Sequence, residues 1–209
     1  MKTDPHAHTG ERAVEAADWR DGWLGSVANC PSPNFGPRPD KTDVDLIVVH
    51  SISLPPGIFG GREIEQLFTN CLDWDAHPYF QSIRGTEVSS HFLIRRDGSV
   101  QQFVSVNDRA WHAGRSCWME RNNCNDYSIG IELEGLEGGS FEPAQYEQLA
   151  WLCRVIQARY PIRHIAGHEH IAPGRKLDPG AGFDWIRLQQ LLHWPNQCFP
   201  DAVIPGQAS

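Results

Sequence analysis

Hydrophobic positions along the chain follow two periodicities, which indicates a mixture of strands and helices. A β-branched run, VDLIVVH at 44–50, is typical of a buried central strand. SIGIELEG at 128–135 alternates apolar and acidic residues, so the two faces of the predicted strand differ. IRHIAGH at 162–168 predicts a further short strand, which His168 ends.

The segment HFLIRRDGSVQQFV at 91–104 carries a hairpin signal. Two apolar runs flank Asp97-Gly98, a pair that favours a tight turn between antiparallel strands. Helical spacing of apolar residues appears in three further segments, REIEQLF (62–68), PAQYEQLAWLCRVIQARY (143–160) and FDWIRLQQLLH (183–193). Strands and helices thus alternate around a hairpin, and the sequence predicts an α/β fold with a mixed central β-sheet flanked by α-helices.

The 209 residues suit one domain. We expect a flexible N-terminal extension over 1–18, the domain over 19–194 and an irregular C-terminal tail over 195–209. PSPNFGPRPDKTD at 31–43, with four prolines, predicts an extended approach to the first core strand.

Composition narrows the classes of partner. The net charge of −8 disfavours phosphate backbones, so we expect no nucleic acid. The polar N-terminus lacks a secretory pattern and no apolar run reaches membrane-spanning length, so we expect a cytoplasmic protein with no membrane partner. We also expect a monomer. The six cysteines show no CxxC pair and are predicted to be reduced thiols, Cys153 being a small buried side chain on a helix.

Polar side chains at strand ends offer a candidate site, because α/β proteins usually place their sites there. His50 and His168 end two predicted strands, Glu132 lies in a third, and Asp178 follows His168 by ten residues. Two imidazoles and one carboxylate form a familiar catalytic zinc set with a fourth position for water. Ten histidines and 26 acidic residues also allow accidental combinations of this kind.

Five motifs in order give the pattern specificity: VVHSISLPPGIFGG, HFLIRRDGSVQQFV, RAWHAG, CNDYSIGIELEG and GHEHIAPGRKLDPG. Together they resemble the AmpD-type N-acetylmuramoyl-L-alanine amidases, the cytoplasmic 1,6-anhydro form of a zinc amidase superfamily that includes peptidoglycan recognition proteins. The resemblance runs from about Trp23 to Leu192.

The resemblance implies roles for particular residues. One zinc ion per chain would be bound by His50, His168 and Asp178, with Glu132 and Lys176 as catalytic residues. The implied reaction cleaves the amide between 1,6-anhydro-N-acetylmuramic acid and the L-alanine of its stem peptide, a step of cell-wall recycling. Zinc-bound water, a nearby carboxylate and a fixed cation suit amide hydrolysis.

Substrate contacts are predicted at positions around these motifs, namely Ser51, Trp111, His112, Arg121, Asn123 and Glu169. Relatives often carry Asn where this chain has Ser51, and Arg where it has Asn123. The aromatic faces of Trp111 and His112 suit a sugar or peptide groove, although packing serves equally for both. Arg109, Arg115 and Arg121 are the cations available for carboxylates of the substrate.

Several alternatives stay open at the level of sequence. Glu134 shares the predicted strand face with Glu132, and Arg175 adjoins Lys176. His91 fits a core position better than a catalytic one. The function could also be an amidase for non-anhydro muropeptides or polymeric peptidoglycan, or a non-catalytic peptidoglycan-binding module on the same fold.

Overall fold

The structure, a computed structural model, describes residues 17–200. Its strands are β1 (Trp19–Arg20), β2 (Trp23–Leu24), β3 (Ala28–Asn29), β4 (Phe35–Gly36), β5 (Leu46–Ile52), β6 (Phe92–Ile94), β7 (Val100–Gln102), β8 (Arg109–Ala110), β9 (Cys117–Trp118), β10 (Arg121–Asn122), β11 (Ser128–Glu134) and β12 (His164–Gly167). Its α-helices are α1 (Glu63–Phe68), α2 (Pro78–Ser82), α3 (Pro143–Gln157), α4 (His168–Ile171) and α5 (Trp185–Leu192).

A six-stranded mixed sheet organises the chain, in the order β12-β5-β11-β6-β7-β3. The first four strands run parallel, β7 returns antiparallel to β6, and β3 pairs parallel with β7. The predicted α/β fold with a mixed sheet and flanking helices is confirmed. Each predicted helix and strand is present, and α2, α4 and the two-residue strands are additions too short to show periodicity in the sequence.

One face of the sheet carries the main core. The apolar side chains of β11, Ile129, Ile131 and Leu133, pack in one cluster with Leu149 and Cys153 of α3. Cys153 is fully buried, as predicted, and all six cysteines are free thiols. Since burying a large apolar side chain contributes about 1.5–3 kcal/mol, this cluster is the main stabilising layer.

Local signals fix the ends of the covering helices. Pro143 occupies the first turn of α3, and Gln145 accepts a hydrogen bond of 3.0 Å from the backbone of Glu142. The Asp184 carboxylate accepts from the Arg187 N–H at 2.9 Å and caps α5. Both helices therefore begin where the sequence provides a cap.

The opposite face is covered by loops, by α1 and α2, and by a smaller apolar cluster around Phe68, Leu93 and Phe103. His50, Glu132 and Gly130 lie on this face, because side chains alternate along each strand and their apolar neighbours face the main core. The sheet thus separates the main core under α3 and α5 from a face covered by loops and two short helices.

Residues 1–16 of the predicted extension and 201–209 of the predicted tail lie outside the described residues. The described start of that tail contains a short 3-10 helix over Asn196–Cys198, and Phe199 is buried in the main core. Within residues 17–200, no helix is long and apolar enough to span a membrane.

Candidate active site and metal centre

Strand register places three polar side chains in one row across the sheet. Glu132 of β11 lies directly opposite His50 of β5 in a parallel pair. On the other side of β5, Gly167 pairs with Val49. The residues that follow these two in the chain, His168 and His50, are therefore also neighbours. The sequence predicted that His168 ends this strand, whereas the strand ends at Gly167 and His168 begins α4.

Asp178 completes a compact group with the two histidines. The Nδ1 atoms of His50 and His168 lie 2.9 Å apart, and each is 3.2 Å from Oδ2 of Asp178. All three residues are buried. This group can hold a metal ion, since each residue directs one ligand atom to a common point.

The second nitrogen of each histidine meets a protein group. Nε2 of His168 lies 3.1 Å from the carbonyl oxygen of Ala113, which can only accept a hydrogen bond. Nε2 of His50 lies 2.9 Å from Nδ1 of His112. Burial, with the neighbouring His168, lowers the pKa of His50 to about 4, so this ring is neutral near pH 7.

Charge in the group is concentrated on Asp178. Burial alone would raise the pKa of the Asp178 carboxyl, but the His168 and His50 rings beside it outweigh burial and hold that pKa below its usual range. An ionised carboxylate beside two imidazole nitrogens gives the group the charge that a divalent cation requires.

Glu132 and Glu134 share a face of β11 but differ in their partners. Glu134 accepts hydrogen bonds from Arg95 at 2.9 Å, from the Gly60 N–H at 2.7 Å and from the Arg96 N–H at 3.2 Å. Oε2 of Glu132 is buried and has no hydrogen-bond partner within residues 17–200. Glu134 is therefore committed to the structure, whereas Glu132 has an oxygen available for chemistry.

The environment of Glu132 makes its carboxylate a stronger base than an ordinary glutamate. Burial raises the pKa of this carboxyl well above its usual value, the Asp178 carboxylate adds to the effect, and Lys176 opposes it. A carboxylate with a raised pKa is suited to taking up a proton and releasing it again.

Lys176 and Arg175 are neighbours in the chain but have different surroundings. Lys176 is exposed and lines the pocket that contains Glu132 and Asp178. Arg175 donates to the carbonyl of Ala113 at 2.6 Å and to that of Arg115 at 2.8 Å. Arg175 thus fastens the loop after α4 to the segment beside His168, and Lys176 supplies the free cation.

The row of polar residues forms the floor of a pocket of about 560 Å³. Ser51 and Trp111, both predicted substrate contacts, lie on it, and the walls combine polar and apolar side chains. The buried Oγ of Ser51 and Nε1 of Trp111 find no hydrogen-bond partner in the described part of the chain. Two donors on such a mixed wall suit a substrate with polar and apolar parts.

Three other predicted contacts are not on this pocket. Arg121 forms an ion pair of 2.7 Å with Asp45 and stacks over Tyr127, and Asn123 is exposed just beyond β10. Glu169 lines a separate cleft with His170 and residues 180–186. Arg121 and Asn123 form no hydrogen bond with Glu132 or the metal-binding group within residues 17–200. The side chain of Glu169 lines the other cleft, although its backbone N–H donates to the carbonyl oxygen of Asp178 at 2.9 Å.

The remaining predicted residues, His112, Arg109 and His91, are all hydrogen-bonded to other protein groups. His112 touches the pocket but is buried and bonded to His50. Arg109 pairs with Asp126 at 2.8 Å. His91 is fully buried, as expected of a core residue, and its Nδ1 accepts from the Gly130 N–H at 3.0 Å.

Two supporting residues were not found from the sequence. Oδ1 of Asn125 accepts from the backbone N–H groups of His112 at 3.1 Å and Ala113 at 2.8 Å. Ser128, the first residue of β11, contacts Nε2 of His112 at 3.2 Å. Asn125 belongs to the CND motif and Ser128 begins SIGIELEG, so the motifs contained them without indicating what they hold.

Comparison with protein families and relatives gives a consistent picture. A family model described as N-acetylmuramoyl-L-alanine amidase matches residues 40–181. The 1,6-anhydro-N-acetylmuramyl-L-alanine amidase AmpD of Citrobacter freundii is 50% identical over 174 residues, which is 82% of this chain and 93% of that protein.

Solved structures extend the comparison. A crystal structure of a selenomethionine AmpD derivative matches with a TM-score of 0.81 and 50% identity, covering 83% of this chain and 98% of the other. The amidase AmiD from E. coli, in complex with anhydro-N-acetylmuramic acid-L-Ala-D-gamma-Glu-L-Lys, matches with a TM-score of 0.52 and 30% identity. That match covers 74% of this chain and 60% of the AmiD chain.

Proposed function

This chain belongs to the N-acetylmuramoyl-L-alanine amidase family, and we propose that it cleaves the amide between 1,6-anhydro-N-acetylmuramic acid and the L-alanine of its stem peptide. The anhydro sugar is supported by the AmpD relatives, whose name specifies it, and by the AmiD complex, whose substrate carries it. One observation carries the proposal: a potential metal site and an unpaired buried carboxylate share a single pocket.

Zinc is the metal that this donor set fits. Zinc bonds of about 2.0–2.1 Å in a tetrahedron place ligand atoms about 3.3 Å apart, and the donor atoms here are separated by 2.9–3.2 Å. Two imidazoles and one carboxylate also leave a fourth position for water. We therefore assign His50, His168 and Asp178 as ligands of one zinc ion per chain.

When bound, zinc polarises an amide carbonyl and lowers the pKa of its water. The protein supplies the proton transfers. Oε2 of Glu132 is the unpaired oxygen that takes a proton from the attacking water and delivers it to the leaving alanine nitrogen. The raised pKa of this carboxyl allows it to hold the proton between the two transfers.

Lys176 is assigned to the developing oxyanion. Its side chain is exposed on the pocket with Glu132 and Asp178, and no ion pair engages it within residues 17–200. A fixed positive charge stabilises negative charge that appears only in the transition state. The polar atoms of Ser51 and Trp111 are available to the substrate on the same pocket.

The biological setting that we propose is cytoplasmic cell-wall recycling, as the family resemblance implies, and we propose that the enzyme is a monomer. Arg121 and Asn123 lie away from the pocket, so they give no basis for choosing between anhydro and reduced sugars. An amidase for non-anhydro muropeptides thus remains the competing function, and it is decided by comparing the two substrates.

The test begins with zinc-loaded protein and purified anhydro-muropeptide, with products identified by mass. We expect free anhydro sugar and free stem peptide, about one zinc per chain, and slower turnover of the reduced muropeptide. Equal turnover of both substrates would replace the anhydro assignment by the broader one. Full amidase activity in rigorously metal-free protein would falsify the zinc mechanism.

Glu132→Gln tests the proton-transfer role. The variant keeps the size of the side chain but cannot shuttle a proton, so kcat should fall about 10²–10⁴-fold while zinc content is unchanged. Glu137→Gln is the matched control, because Glu137 is an exposed carboxylate on the same pocket. Comparable losses in the two variants would mean that pocket charge, and not proton transfer, sets the rate.

A further inference from the structure

His112 lies behind the metal-binding group rather than in front of it. Its Nδ1 is 2.9 Å from Nε2 of His50, on the side of that ring opposite the metal-binding nitrogen. The two rings meet edge to face, with centroids 5.0 Å apart. On its other side, Nε2 of His112 is 3.2 Å from Oγ of Ser128.

The hydrogen positions in the series of contacts from His50 through His112 to Ser128 follow from its last residue, Ser128. Oγ of Ser128 lies 2.5 Å from the carbonyl oxygen of Cys124, which accepts only, so the hydroxyl hydrogen is donated there. The hydroxyl oxygen must then accept from Nε2–H of His112. A neutral imidazole has one N–H, so Nδ1 of His112 is left as an acceptor.

The consequence reaches the metal-binding group. Nδ1 of His112 accepts from Nε2–H of His50, and the lone pair of His50 is therefore on Nδ1. That atom is the one that faces His168 and Asp178. The opposite order of hydrogens would place an N–H on Nδ1 of His50 and direct it at the metal position.

We propose that His112 and Ser128 are positioning residues that hold His50 as the Nε2–H tautomer, ready to bind the metal. The proposal rests on the assignment of His50 as a zinc ligand. Neither residue acts on the substrate in this role. The sequence-based expectation that His112 lines the substrate groove is a separate one, and the residue does line the pocket.

The segment that carries His112 orients the second histidine as well. Asn125 holds the N–H groups of His112 and Ala113, and the carbonyl of Ala113 accepts from Nε2 of His168. Both ligand histidines are thereby fixed through adjacent residues of one loop. Such partners of metal-binding histidines raise ligand basicity, and losing one typically costs 10–100-fold in metal affinity.

The experiment measures zinc affinity of the metal-free protein by competition with a chromophoric chelator. Ser128→Ala removes the group that orders the chain of hydrogens, and His112→Ala removes the contact with His50. We expect zinc affinity to fall about 10–100-fold in both variants. In His112→Asn the side-chain oxygen can replace Nδ1 as acceptor, so this variant should retain affinity within about tenfold of the parent.

Ser90→Ala is the matched control, because Ser90 is a fully buried serine whose hydroxyl lacks a hydrogen-bond partner among the described residues. It should bind zinc like the parent. A second readout is the ¹⁵N NMR spectrum of the His50 ring without metal. The parent should show the Nε2–H tautomer, and Ser128→Ala a mixture of the two.

The outcomes separate this proposal from the proposed function. Folded Ser128→Ala and His112→Ala proteins that bind zinc as tightly as the parent would overturn the positioning role, even if the parent is an active zinc amidase. A parent that binds no zinc and cleaves no muropeptide would instead overturn the proposed function. Thermal unfolding of each metal-free variant shows whether a loss of affinity reflects a loss of fold.

Discussion

Replacing Gly130 by alanine should disturb the metal site from inside the sheet. Gly130 is in the middle of β11, where a larger residue would continue the strand pattern, and its backbone conformation is open to any residue. A Cβ at this position would lie 2.6 Å from Cγ of His112 and 2.7 Å from its Nδ1. Carbon atoms in contact prefer about 3.5–4.0 Å, so the imidazole must move by about 1 Å.

The size of the effect follows from that displacement. Overpacking of a buried site costs about 1–3 kcal/mol of unfolding free energy. A shift of about 1 Å would also stretch the 2.9 Å contact between His112 and His50 beyond hydrogen-bonding distance. Gly130→Ala should therefore lose both stability and, by about 10–100-fold, zinc affinity.

The assay combines urea unfolding of metal-free protein with chelator competition, in a double-mutant cycle with His112→Ala. Because all three of the closest contacts of the added methyl are atoms of His112, the second substitution should relieve the clash. Gly130→Ala should then cost less than about 0.5 kcal/mol in that background. An equal cost in both backgrounds, or unchanged zinc affinity in the single variant, would refute the coupling.

Three further outcomes are expected. Burial and the nearby Arg38 lower the pKa of His91 to about 3, whereas unfolded histidine titrates near pH ~6.5. The contribution of His91 to stability is therefore fully present above that pH and is lost on acidification, by about 1.4 kcal/mol per pH unit between pH ~6 and ~4. In urea titrations, the free energy of unfolding of His91→Asn should depend less steeply on pH than that of the parent. An identical pH dependence would contradict the lowered pKa of His91. Glu134→Gln leaves Arg95, whose side chain is 12% exposed, with Glu65 as its ion-pair partner. Urea unfolding should therefore show a loss of about 2–4 kcal/mol in the free energy of unfolding, while kcat of the folded enzyme changes little. A collapse of kcat at full stability would exchange the roles of Glu132 and Glu134. Chelation of zinc should lower the thermal midpoint by mass action, and His50→Ala should show no such dependence.

The two acids of β11 illustrate how far the sequence pattern could be interpreted. Alternation correctly predicted that Glu132 and Glu134 share a face. It could not show which one is available, because that is decided by Arg95 and Gly60, which approach Glu134 from distant parts of the chain. The sequence pattern determines the face of the strand on which a side chain lies, whereas its hydrogen-bond partners depend on tertiary packing.

Arg121 shows why nearness to a motif can mislead. It lies three residues before Cys124 of the CND motif, yet the β9–β10 hairpin directs it to Asp45, just before β5 begins. His50 is five residues further along, and at about 3.3 Å per residue the separation is about 16 Å. Glu169 follows the ligand histidine directly but belongs to α4, where successive residues turn by about 100°. It therefore faces another cleft.

Sheet order supplies what the motifs cannot. The chain presents β5, β6, β7, β11 and β12 in sequence, but the structure inserts β5 between β11 and β12. Strands are about 4.8 Å apart, so His50 has Glu132 and His168 as immediate neighbours. If β12 had instead paired with the far edge of β6, three strand spacings, about 14 Å, would separate the two histidines. No single metal ion could bridge them, although every motif would be unchanged. The connection through α3, which carries β12 past β11 to the outer edge of β5, is therefore as necessary to the site as the ligands themselves.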